Sequence, residues 1–195
     1  MDAANNEVHC PPEVFAPAFR FLRNFKSQEF AKESMFLPPV SPRLSATYHV
    51  GEDFLDIASA LRAIDETIEF LNYRRGDRLG HALGLGIAPE VHYAKKGSRI
   101  FMPKQQRLDD LVWLLYRGRE LGTHIDPHMY GLLKKEAEIL LLEIYGDVIR
   151  NNRWMITLTE YHCCMQLRGD DPSLYRDTKF SRSGLGYGPY DRYFL

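Results

Sequence analysis

The stretch that most constrains the fold runs from Tyr48 to Gly86, YHVGEDFLDIASALRAIDETIEFLNYRRGDRLGHALGLG. It holds two short polar clusters, His49-Val50-Gly51-Glu52 and Arg78-Leu79-Gly80-His81, each following residues that suit a strand. Between them, Phe54, Leu55, Ala58, Leu61, Ile64, Ile68 and Leu71 recur at helical spacing on one broad face. Asp56, Arg62, Glu66 and Glu69 fall off that face and read as a solvated surface. The pattern is a βαβ unit with chemistry at the C-terminal end of each strand. In parallel α/β sheets and barrels those ends open onto one side, so His49, Glu52 and His81 are expected to share a pocket.

Gly51 lets the backbone turn sharply without a Cβ penalty and sets Glu52 at the helix entrance. An imidazole at that position can hold a metal while the carboxylate handles protons. The competing reading is that His49 and Glu52 only cap the helix, since acidic residues are common in a first turn. A second Gly-His at the end of the next strand favours the pocket. Gly80, just before His81, would allow close approach of a metal or ligand.

The pair HVGE and RLGH, in this order with a helix between, resembles the H-A-G-E and R-(I/V)-G-H motifs of the adenosine deaminase family, metal-dependent hydrolases of the amidohydrolase superfamily. Asp2-Ala-Ala-Asn-Asn-Glu7 is similar to the D-L-A-G-D-E segment that precedes those motifs. The intervening helix, the long insert and the Arg168-Gly-Asp-Asp-Pro172 segment look most like the large adenosine-deaminase-like subunits of bacterial anti-phage systems.

The resemblance implies an α/β fold, the C-terminal half of a (β/α)8 TIM-type barrel with a helical insertion. It implies one divalent metal, Zn2+, with His49 as a ligand, and Asp170 as another if Asp170-Asp171 ends the last barrel strand. His81 would orient or deprotonate the metal's water, and Glu52 would deliver a proton to the purine ring. Asn5, Glu7, Gly51 and Asp171 would contact the substrate, a purine nucleoside or nucleotide. For Asn5 and Glu7 the alternative is a polar turn before Pro11-Pro12. For Asp170-Asp171 it is a loop or helix cap, because Met165 to Gly169 is less apolar than a buried parallel strand. The family's His-x-His pair has no counterpart in the chain.

A complete barrel of this type takes about 250 residues, whereas the chain has 195. Met1 falls almost on Asp2, with no room for a preceding apolar strand, so truncation is expected. The expected division is residues 1–90 as partial barrel, 91–153 as helical insertion, and 154–195 as barrel remnant or continued insertion with an irregular tail. Within the insert, Arg107 to Leu121 and Met129 to Tyr145 read as two helices joined by a turn. Their apolar surface implies a packing partner, either the barrel or another subunit, and a homo-oligomer is expected.

Other candidates weigh less. Val14, Phe15, Ala18, Phe19, Leu22, Phe25 and Phe30 form a helical stripe that reads as core and not as a stacking surface, with Pro17 marking a kink or break. His124 and His128 straddle Pro127 and do not share a helical face. His162-Cys163-Cys164 lacks the C-x-x-C spacing of a zinc knuckle, and the H-x-E and P-C-x-x-C signature of cytidine deaminases is absent. A net charge of -1 gives no strong nucleic-acid signal. Three cysteines without disulfide spacing point to a reducing, cytoplasmic setting, and no stretch of roughly eighteen apolar residues suggests a membrane span. Two functions follow: metal-dependent hydrolytic deamination of adenosine or a related purine, incomplete in this chain alone, or a non-catalytic assembly module derived from a deaminase barrel.

Overall fold

A computed structural model of the chain describes residues 1–3, 7, 11–24, 44–122, 124–152 and 156–169. Asn5, Asp170 and Asp171 lie outside the described residues. The fold is α/β. Three short parallel strands, β1 (Asp2–Ala3), β2 (Thr47–Val50) and β3 (Arg78–His81), form one sheet in that order. The register sets Asp2 beside Thr47, His49 beside Gly80, and Val50 beside His81. Successive residues of a strand point to opposite faces. Tyr48 and Val50 are buried on one side, whereas Thr47 and His49 are only partly covered on the other.

The buried side is covered by α1 (Pro12–Asn24) and α2 (Ile57–Phe70). Ala16, Phe19, Ile64, Phe70 and Leu71 close over Tyr48 and Val50. Phe15 and Phe19 meet the Tyr48 ring edge-on, with centroids 5.8 and 6.1 Å away. Phe15 and Phe19 of the expected stripe thus face the core, whereas Val14, Ala18 and Leu22 are exposed, and Phe25 and Phe30 lie outside the described residues. The expected break at Pro17 does not occur, and α1 runs through it. α2 starts at Ile57 and not at Phe54, because the Asp56 side chain caps it by accepting from the Ala58 amide at 3.1 Å.

A second layer is helical. α3 (Pro89–Lys95) is short and solvent-facing, and α4 (Lys104–Trp113) runs into a π-helical turn at Leu114–Gly118. α5 (Pro127–Asn152) returns antiparallel to α4 as the predicted hairpin, and α6 (Leu158–Leu167) completes the layer. Leu108, Leu111, Val112, Leu115, Ala137, Leu141, Leu158, Tyr161 and Met165 form its core. α6 starts where Thr157 and Glu160 make a reciprocal capping box. The segment leading to Asp170 is thus the end of a helix and the turn after it, where the last-strand reading needs a strand. It belongs to the helical layer. His162 stacks on Tyr116 at 4.8 Å, and burial lowers its pKa. The neighbouring Cys163 and Cys164 are half-buried.

The charged face of α2 corrects the sequence reading. Asp56, Arg62 and Glu66 are buried, because α4 and α6 cover the face expected to meet water; only Glu69 stays exposed. Arg62 Nε donates to Asp110 at 2.8 Å, and its NH1 reaches both Glu66 oxygens. Arg168, at the end of α6, donates to Glu66 and, at 2.9 Å, to Glu13 of α1. Burial pushes the Glu66 carboxyl above its ordinary value, against the opposing pull of Arg168 and Arg62. Burial works to lower the Arg62 guanidinium, but Glu66 and Asp110 outweigh it and raise it well above its usual value.

Removing one member of such a network leaves its partners charged and buried, at about 3–5 kcal/mol. Arg168→Ala, which takes one guanidinium away from both Glu66 and Glu13, is expected to lower unfolding free energy by about that amount. Chemical denaturation of both proteins measures it, and a loss under about 1 kcal/mol would show the network to be dispensable.

Candidate functional site

At the C-terminal ends of the strands, His49, Glu52 and His81 come together. One ligand atom from each lies within 4.8 Å of the other two, the only such His, Cys, Asp or Glu group among the described residues. Glu52 is the hinge of the trio. Its Oε1 is 3.6 Å from His49 Nδ1, and its Oε2 is 3.2 Å from His81 Nε2. The imidazoles meet edge-on with centroids 4.9 Å apart. His81 is half exposed, while His49 and Glu52 keep about a quarter of their side-chain surface.

Backbone features without any polar signature build this arrangement. Gly51 adopts φ +72°, and a Cβ there would lie 2.6 Å from Ile64 Cδ1, so the turn after β2 requires glycine on both counts. Gly80 has a different task. A Cβ there would sit 2.8 Å from His49 Cγ and Cδ2, so its bare backbone is the floor on which the His49 ring rests. The close approach expected at Gly80 is thus made by His49.

His81 and Ala82 both occupy the left-handed region, at φ +57° and +47°. Such a pair is uncommon for residues with side chains and costs on the order of 1–3 kcal/mol each. Hydrogen bonds from Ala82 N to Val50 O (3.1 Å) and Gly84 N to Gly51 O (2.9 Å) hold it. The sharp reversal brings His81 back over the turn that carries Glu52.

Two acidic residues complete the surroundings. Asp2, at the start of β1, has Oδ1 3.8 Å from His49 Nε2. Its only sequence signal is that it opens the segment ending in Glu7. The Glu7 carboxylate accepts from three consecutive amides, Gly51 (2.6 Å), Glu52 (3.0 Å) and Asp53 (2.6 Å). Burial raises its pKa, and those three bonds only partly offset it.

Two imidazole nitrogens and a carboxylate oxygen suit zinc. Tetrahedral zinc, with bonds of about 2.0–2.2 Å, needs donor atoms roughly 3.3–3.5 Å apart. The contacts of Glu52 with the imidazoles, 3.6 and 3.2 Å, come from different carboxylate oxygens, and the three donor atoms lie within 4.8 Å of one another, a wider spread than a bound tetrahedral ion sets. The same atoms could equally pass protons, since a carboxylate between two imidazoles can relay one.

The sequence matches no protein-family model and no curated protein.

Gly80→Ala should displace the His49 ring and weaken Co2+ binding, measured by absorption titration, by roughly 10–100-fold. Gly86→Ala, whose added Cβ meets only Leu83 O at 3.9 Å, should leave it unchanged. Equal affinities in the two variants would show that His49 does not depend on this floor.

Proposed function

We propose that the chain carries the proton-transfer and part of the metal-binding machinery of a hydrolytic purine deaminase, built on part of a (β/α)8-type barrel. The observation that carries the reading is the meeting of Glu52 with both His49 and His81 at parallel strand ends. A zinc ion held here would supply Lewis acidity that brings the pKa of a water to about 7. His49 is assigned to the metal. His81, the more exposed imidazole, takes a proton from the attacking water. Glu52 gives one to a ring nitrogen of the purine, which makes the adjacent amino-bearing carbon electrophilic. The proton taken by His81 then passes to the amino group, which leaves that carbon as ammonia. The chain contains no His-x-His, so further ligands must come from residues other than this trio, and Asp170 is retained as a candidate.

This division of roles has a direct test. The 195-residue chain alone should bind zinc weakly, lose it on dialysis and leave adenosine unchanged. The product of the complete reading frame that encodes it should release inosine and ammonia in equal amounts. In that protein Glu52→Gln should lower turnover by about 10²–10⁴-fold, the range for a lost general acid, with zinc content by atomic absorption intact. Loss of zinc in that variant would reassign Glu52 to ligation, and absence of purine turnover in the zinc-loaded protein would overturn the deaminase reading.

A second reading, assembly, rests on α5. Leu132, Ile139 and Leu142 are about half exposed on the side of α5 away from α4. We infer that this stripe pairs copies of the chain, whether or not the site turns over substrate. Size-exclusion chromatography with light scattering should show a concentration-dependent oligomer that Leu132→Ser/Leu142→Ser dissolves. A sharp monomer near 22.6 kDa at all concentrations would exclude it.

A further inference from the structure

We propose that Glu7 is a positioning residue, whose carboxylate holds Glu52 between the two imidazoles by clamping the turn after β2. The inference rests on the site assigned above and concerns how that site is kept in shape. Three consecutive amides, Gly51, Glu52 and Asp53, converge on the two Glu7 oxygens. Successive N–H groups around a residue at positive φ, here Gly51 at +72°, form a concavity that receives an anion. A fixed internal carboxylate fills it. Bonds to an ionised acceptor are roughly twice as strong as neutral ones, so this clamp outweighs an ordinary turn bond.

The same turn is tied from its other side. Gly51 O accepts from Gly84 N, and Val50 O accepts from Ala82 N. The peptide groups around Glu52 therefore link the segment after β1, through Glu7, to Ala82 and Gly84, which directly follow His81 at the end of β3. With both Glu7 oxygens on backbone amides, the side chain is turned into the turn and acts through Glu52. The pattern departs from the substrate contact implied by resemblance. Glu52 gains a backbone held from two directions, so its side chain stays within 3.2 Å of His81 and 3.6 Å of His49.

The test uses the full chain with Glu7→Ala, Glu7→Gln and, for reference, Glu52→Ala. Hydrogen exchange by NMR should speed at least tenfold at Gly51, Glu52 and Asp53 in Glu7→Ala, with the amides of Tyr48 and Ile64 unchanged. Glu7→Gln, which retains one accepting oxygen, should recover part of that protection. The 15N signals of the His49 and His81 rings should shift in Glu7→Ala as they do in Glu52→Ala. Adding Glu7→Ala to Glu52→Ala should shift the imidazole signals no further than Glu52→Ala alone, because Glu7 acts through Glu52. Unchanged exchange at 51–53, a uniform rise across the sheet, or a full additional shift of the imidazole signals in the double variant would each overturn the proposal. If the wild type binds no Co2+ above a His49→Ala control, the metal assignment fails instead, and local exchange with the imidazole shifts still decides for or against the clamp.

Discussion

The burial of charge on α2 is the constraint on which the two layers of this protein depend. Arg62, Glu66, Asp110, Arg168 and Glu13 come from α2, α4, the end of α6 and α1, and each is almost fully buried. Apolar packing supplies the larger share of stability. Full burial of residues such as Leu108, Leu111 and Leu115 contributes about 1.5–3 kcal/mol each, whereas a buried ion network scarcely breaks even against apolar replacements. Apolar contact has little directional preference. The guanidinium forks do, and they allow one alignment of the helical layer against α2.

That alignment reaches the site through the other face of the same helix. Ile64, buried against the sheet, leaves no room for a side chain at Gly51. Gly84, just beyond β3, packs so closely on Ala60 that an added Cβ would lie 2.6 Å from the Ala60 methyl. The turns bearing Glu52 and His81 are thus both seated on α2, and the left-handed strain at His81 and Ala82 is met by backbone bonds to β2 and its turn. A site made of one strand end, one turn and one strained reversal keeps its geometry because all three rest on one rigid element.

Much of this was legible in the chain itself. The helical periodicity of α2 and of the α4–α5 hairpin, the glycine between His49 and Glu52, and the repeat of Gly-His at the next strand end are local patterns set by two or four residues at a time. They were enough to place His49, Glu52 and His81 in one pocket. The purpose of Gly80 was not legible, because the atom it makes room for belongs to the neighbouring strand. Nor was the backbone reversal at His81-Ala82, since neither residue carries the glycine or asparagine that usually marks a left-handed turn. The solvated reading of Arg62 and Glu66 failed for a related reason. Periodicity shows that a residue lies off the apolar face, but says nothing about what covers that face.

By itself, then, the sequence determined where chain segments become helices or strands and which donor groups stand at the strand ends, because those outcomes follow from neighbours within one or two turns. The tertiary structure decided which charges are buried and which carboxylate serves the turn. Arg62 meets Asp110 across 48 positions, Arg168 meets Glu13 across 155, and Glu7 meets Gly51 across 44. A hydrogen bond over such separations depends on how whole elements pack, and that packing is set by the summed shape and charge of both layers, which no local spacing encodes.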